Sequence, residues 1–175
     1  VQRLVGHMRS SETVFGFSEM YDSDWNAKST ESSICVGRVL KAASTLGRAY
    51  LLVPRQEYRD AAVELLNEVY YYNMNGIRAW DHVHGGPYGT MNWRTGALTD
   101  SSKDYWIVEE GYVAPMVMWH ITQNDTFLKM ADQAIGFYMN HLWDRQYGDA
   151  FSQVSADGSR ILNATKGDMF KANFH

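Results

Sequence analysis

The chain closes on a histidine, His175, at the end of the stretch KGDMFKANFH (166–175). An imidazole titrates near neutral pH, so such a residue can take and return a proton, although position alone equally allows a ragged end. Trp106 and Glu110 stand four apart in KDYWIVEEGY (103–112), on one face of a helix near its start. A tryptophan face can stack on a sugar ring, and a carboxylate accepts hydrogen bonds from its hydroxyls. The same spacing suits a core tryptophan beside a solvent-facing glutamate. Arg38 and Lys41, three apart in SICVGRVLKAAS, can hold an anionic or polyhydroxy ligand or simply be solvated. His82 and His84 lie two apart in DHVHGG, with no third ligand at a helical interval, so no metal is expected and the glycines read as a turn. No G-x-S-x-G, P-loop or dinucleotide fingerprint occurs.

Helices must position these residues. A short helical piece is expected around Gln2–Met8, followed by a loop rich in Asp and Ser. From Thr30, a candidate cap, apolar residues recur at three- and four-residue steps (Ile34, Leu40, Ala43, Leu46, Ala49, Tyr50, Val53) until Pro54 stops the run. A second helix is expected over 55–72, a third over 103–121 and a fourth over 125–142, with long glycine- and aromatic-rich loops after the second and fourth.

The two loops repeat each other. Trp143 and Asp144 stand 63 residues after Trp80 and Asp81 (144 − 81), and Lys166 stands 63 after Lys103. Gly85 and Gly148, and Tyr88 and Phe151, keep the same offset. A unit of helix, helix and long loop therefore recurs, which signals a helical-hairpin repeat and suggests an α/α toroid with its loops gathered at one end. Residues present in both copies, Asp81/Asp144 and Lys103/Lys166, read as scaffold, because one active site is not needed twice. Residues present once are the better candidates for chemistry: Arg38, His82, His84, Trp93, Trp106, Glu110 and His175. Tyr112 is the earlier counterpart of His175.

Composition narrows the class. The 175 residues are 45% hydrophobic and 21% charged, an ordinary globular balance for one domain or part of a larger one. A net charge of −4 leaves no basic footprint for nucleic acid, and no apolar run has the length of a membrane span. A single cysteine, Cys35, excludes an internal disulfide and leans towards a reducing, cytoplasmic setting, while two N-x-S/T sequons at Asn124 and Asn163 leave secretion open. No signal peptide opens the chain, and the start at Val1, without methionine, is read as a cut amino terminus.

Six stretches in order, EMYDSDW (19–25), GRVLK (37–41), WDHVHGGPY (80–88), KDYWIVEEG (103–111), WDRQYGDAF (143–151) and KGDMFKANFH (166–175), resemble the carboxy-terminal half of the N-acylglucosamine 2-epimerase family. That family includes cellobiose 2-epimerases and mannose isomerases. The resemblance implies an all-α fold in which repeated hairpins form part of an (α/α)6 barrel, with short β-hairpins in the loops, and residues 1–175 as one domain of a longer chain. It implies sugar-ring opening and proton transfer at C2 through an enediolate, with no cofactor. His175, preceded by Lys166 and Lys171, takes the position of the general acid/base, and Trp106 and Glu110 take the sugar contacts. Tyr105 stands where many members have a second Trp. Arg38 falls where the family has its second catalytic histidine, Lys41 where it has Glu or Lys, and Ser44 where it has Trp. A guanidinium stays protonated, so Arg38 cannot exchange a proton but can stabilise an enediolate oxygen. One-base isomerisation or loss of activity is then favoured over two-base epimerisation. The partner expected is a small sugar, with a homodimer as a compatible assembly. A glycoside hydrolase using Asp81, Asp144 or Glu110, and a non-catalytic sugar-binding descendant, are the competing readings.

Overall fold

The computed structural model describes residues 33–71, 79–92 and 95–166. The expected helix at Gln2–Met8, the Thr30 cap, the EMYDSDW stretch, Trp93, Lys171 and His175 lie outside the described residues. In chain order the elements are β1 (Ser33–Cys35), α1 (Val36–Leu52), α2 (Gln56–Tyr70), β2 (Thr90–Asn92), β3 (Leu98–Asp100), β4 (Lys103–Asp104), α3 (Tyr105–Thr122), α4 (Asp125–Phe137), a π-helical turn (Tyr138–Leu142), β5 (Gln153–Val154) and β6 (Ile161–Asn163).

All four expected helices among the described residues form, with two corrections at their starts. Ile34, read as the first apolar contact of the first helix, lies in β1 opposite Met91 of β2. Lys103 and Asp104, read as the first turn of the third helix, form β4 opposite Val154 and Gln153. In both cases a strand far along the chain claims the residues, and periodicity within one segment cannot register that partner. Pro54 does end the first hairpin arm, and α3 stops where Gln123 turns into the left-handed region at φ 55°. Asn124 then caps α4 by accepting from the Thr126 N–H at 3.0 Å.

Each unit is a strand, two helices and a loop whose β-hairpin returns to its own first strand. The two sheets, β1–β2–β3 and β4–β5–β6, share one antiparallel topology. Cys35 faces Thr90 as Asp104 faces Gln153. The first N–H of each leading helix is capped alike, Val36 by the Gly89 carbonyl at 3.0 Å and Tyr105 by the Ser152 carbonyl at 3.2 Å. Equivalent helix positions are therefore 69 apart (105 − 36) and equivalent loop positions 63 apart (152 − 89). Unit one is six residues longer, between α2 and Trp80.

The duplicated aspartate and lysine join successive units. Asp81 lies in the loop of unit one, and its Oδ2 accepts from Lys103 Nζ, which opens unit two, at 2.9 Å. Lys103 also donates to the Gly85 carbonyl, and Gly85 presents it at φ 87°, a backbone state that favours glycine. Lys166 repeats the arrangement on Asp144 and the Gly148 carbonyl. Both carboxylates also close their loops, Asp81 on the N–H groups of Val83 and His84 and Asp144 on those of Gln146 and Tyr147.

Helices α1 and α3 pack side by side, and each carries its own hairpin partner, α2 or α4. Helix α3 is apolar around most of its circumference because α1 and α4 cover two of its faces; α1 keeps Arg38, Lys41, Thr45 and Arg48 exposed along one stripe. Fully buried Trp80 donates its indole N–H to Gln133 at 3.0 Å, tying the first loop to α4. No described helix is long and apolar enough to cross a membrane.

Candidate active site

The leading ends of α1 and α3 bring three of the candidate residues together, Lys41, Trp106 and Glu110. Gly37, at the second position of α1, faces Trp106 at the second position of α3. A Cβ on Gly37 would sit 2.6 Å from Trp106 Cζ3 and 3.0 Å from Ile107 Cγ1, so only glycine lets the indole lie this close. The half-buried Trp106 packs against the core while keeping part of its surface exposed. One turn further, Lys41 Nζ approaches Glu110 Oε1 at 3.5 Å. These two occupy equivalent positions in their units, 69 apart (110 − 41).

Glu110 is buried, 6% exposed, so the solvent-facing alternative does not hold. Lys41 reaches it from a side chain that is 54% exposed, and the resulting pair is open on the lysine side only. A carboxylate oxygen has two lone pairs and can accept a ligand hydroxyl beside a cationic neighbour. Arg38, one residue after Gly37, projects from the exposed stripe of α1. Tyr105 is only 6% exposed and belongs to the core, so its ring has little surface to offer a ligand. Ser44 is buried and returns its hydroxyl to the Lys41 carbonyl at 3.0 Å, inside its own helix.

His82 and His84 are engaged elsewhere. His82 Nε2 lies 2.7 Å from the Tyr70 carbonyl, and His84 Nδ1 3.1 Å from Asp81 Oδ2, so the two rings turn to separate partners. Among the described residues no three His, Cys, Asp or Glu side chains gather as metal ligands. Burial alone would raise the Asp81 carboxyl, but the His84 N–H, the Lys103 ammonium and the Val83 N–H together hold it below the usual carboxylate range. Burial likewise brings the Lys103 ammonium down to about 8, against the pull of Asp81. A cavity of about 470 Å³ opens between the two loop systems, lined in part by His84, Tyr88, Asp157 and Arg160, and it holds none of the helix-end residues above.

Sequence reasoning passed over three further residues. Glu109 Oε1 accepts from the Tyr138 hydroxyl at 2.9 Å in a buried pair, and the Tyr112 ring meets that of Tyr138 at 6.2 Å. The strand register supplies the signal: at the 69-residue spacing Glu109 corresponds to Leu40 and has no acidic counterpart in unit one.

Residues 1–172 match the model of the N-acylglucosamine 2-epimerase family (GlcNAc 2-epimerase). The chain belongs to that family. Over 107 residues it is 24% identical to a D-mannose isomerase of Marinomonas mediterranea, an alignment covering 61% of this chain and 26% of that protein. Among solved structures, a cellobiose 2-epimerase of Bacillus thermoamylovorans superposes with a TM-score of 0.74 at 15% identity, over 93% of this chain and 44% of that one. A D-mannose isomerase superposes with a TM-score of 0.73 at 20% identity, over 95% and 42%. An α-1,6-mannanase of Salegentibacter sp. gives 0.58 at 21% identity, over 75% and 36%. The chain thus spans less than half the length of each of these relatives, and its likeness to the solved structures is one of fold.

Proposed function

We propose that the whole protein is a sugar 2-epimerase or aldose–ketose isomerase, and that the described hairpins form part of an (α/α)6 barrel. The observation that carries this reading is the Lys41–Glu110 contact beside Trp106, at adjoining helix ends of a chain in this family. Trp106 stacks on the open-chain or cyclic sugar, and the Glu110 carboxylate, beside Lys41, accepts hydrogen bonds from its hydroxyls. His175 takes the proton from C2 of the aldose. The carbonyl at C1 receives the electron pair and becomes the enediolate oxygen, which the Arg38 guanidinium stabilises electrostatically. Return of the proton to C1, with the O2 hydroxyl proton passing to O1 as C2 becomes the carbonyl, yields the ketose; return to the other face of C2, with the C1 carbonyl re-formed, yields the epimer. With arginine at position 38, one base serves the reaction, which favours isomerisation over epimerisation.

A glycoside hydrolase is the second reading, favoured by the fold likeness to the mannanase and by the buried Glu110 carboxylate. It loses two of its three candidate acids, since Asp81 and Asp144 are each occupied by a lysine and by loop N–H groups.

The test is incubation of the full natural chain in D2O with mannose, glucose, fructose and N-acetylglucosamine, followed by NMR. Deuterium entering C1 or C2 of one sugar, and lost in His175→Ala, is the expected outcome. Sugar binding without label in any of the four would overturn the catalytic reading in favour of a binding protein.

A further inference from the structure

We propose that the buried Glu109–Tyr138 pair, with Tyr112 packed against it, positions the Glu110 carboxylate for its substrate; this rests on the reading of Glu110 as an acceptor of sugar hydroxyls. Tyr138 opens the π-helical turn that ends α4, so its 2.9 Å hydrogen bond ties the second turn of α3 to the hairpin's far end. Neither residue is more than 7% exposed. The Tyr112 and Tyr138 rings meet edge to face. Burial first, and then the neighbouring carboxylates, push both phenols up, so both remain hydrogen-bond donors at neutral pH.

The repeat supplies an internal control. At the equivalent positions of unit one stand Leu40, Ala43 and Val69, each 69 before its counterpart (109 − 40, 112 − 43, 138 − 69), and all three are fully buried. A hairpin of this shape therefore closes with a purely aliphatic contact. Packing does not require the polar trio, and burying the Glu109 carboxylate with the Tyr138 phenol costs free energy that the aliphatic version avoids. The trio also sits in the unit whose next helical residue is Glu110, where unit one has exposed Lys41.

The physical link is rotation of α3 about its axis. Glu109 and Glu110 share one helical turn, so anchoring the first to α4 fixes the direction in which the second emerges. Lys41 approaches Glu110 from a side chain that is largely in solvent, so this contact does not impose a direction by itself. A binding or catalytic group needs to be held within about 0.5 Å of its productive place, and loss of that precision lowers turnover more than affinity.

The test uses the full natural chain with Tyr138→Phe, Glu109→Gln and the double variant Glu109→Leu/Tyr138→Phe. Two readouts are taken: the rate of deuterium entry from D2O into the sugar, and equilibrium binding of mannitol, a polyol with no carbonyl and hence no exchangeable C2 proton. The double variant substitutes the aliphatic residue of unit one at position 109 and an apolar ring at 138, and is expected to melt at or above the wild-type temperature. It and Tyr138→Phe should lower kcat about tenfold to a hundredfold while changing KM and mannitol affinity much less. Glu109→Gln keeps an acceptor for the Tyr138 hydroxyl and should retain most of the rate. A stable double variant with wild-type kcat overturns the inference and leaves the proposed activity standing. If the wild type binds mannitol but exchanges no deuterium, the activity fails, and mannitol affinity decides: weakened in the double variant it supports positioning, unchanged it overturns it. If the wild type does not bind mannitol or any of the sugars, no polyol reaches Glu110 and both proposals fall.

Discussion

Lys103 Nζ lies 2.9 Å from Asp81 Oδ2, with the lysine at 0% exposure and the aspartate at 2%. The two belong to successive units, so the contact is a staple between repeats. Its partial copy, Lys166 on Asp144, sits nearer solvent, with side-chain exposures of 26% and 13%. The difference predicts unequal costs. Lys103→Met leaves a buried carboxylate without its cation and should destabilise the protein by about 3–5 kcal/mol. Lys166→Met should cost a fraction of that, because water reaches Asp144. Urea denaturation of the two variants in the full natural chain measures both.

Two carboxyls give stability opposite pH dependences. Asp81 is held below the usual carboxylate range, so its contribution is present at neutral pH and is lost as pH falls through that lowered value. Glu68 is raised to about 7, by burial and then by Glu64, and among the described residues its Oε2 has no hydrogen-bond partner. Its contribution is present below the ordinary value of 4.5 and is lost as pH rises through about 7. Melting temperature should therefore sag between those two values. Glu68→Gln should remove the sag and stabilise the protein at pH 7 by about 1–2 kcal/mol, reduced by solvent at this part-exposed helix face. Melting curves at pH 4.5, 6 and 7 check it, and an unchanged sag in the variant contradicts it.

Gly37 is the point where the fold touches the candidate site. A methyl group there meets the Trp106 ring at 2.6 Å and must push the indole away or part the two helices. Gly37→Ala should cost about 1–3 kcal/mol of stability. It should also weaken sugar binding, whereas Gly136→Ala, with nothing within 4 Å of its Cβ, should leave binding unchanged. Calorimetric melting and sugar titration of both variants distinguish the two.

Much of this was legible in the sequence because the repeat is. The 63-residue spacing of Asp81/Asp144 and Lys103/Lys166 marked these as structural pairs, and both prove to be aspartate–lysine staples. The four helices announced themselves by apolar period. What escaped was whatever depends on a distant partner. Ile34 and Lys103 look helical until β2 and β5 claim them. Glu110 looks solvated because a charge in a helix usually is; its burial follows from α1 and α4 covering α3. Glu109 escaped because its partner, Tyr138, lies 29 residues away, across a hairpin. The second spacing of 69, which exposes Leu40 and Val69 as their apolar counterparts, needs the strand register to be seen.

In the proposed function Glu110, found once, serves the chemistry, and Asp81 and Asp144, found twice, serve the fold. The rate of deuterium entry at C1 or C2 per folded molecule, compared between Glu110→Gln and Asp144→Asn in the full natural chain, tests this most directly. Glu110→Gln should lose about two orders of magnitude in rate at a near-normal melting temperature. Asp144→Asn should melt lower yet keep the wild-type rate per folded molecule. A folded Asp144→Asn protein that exchanges no deuterium, beside a Glu110→Gln protein at full rate, would contradict this division of roles.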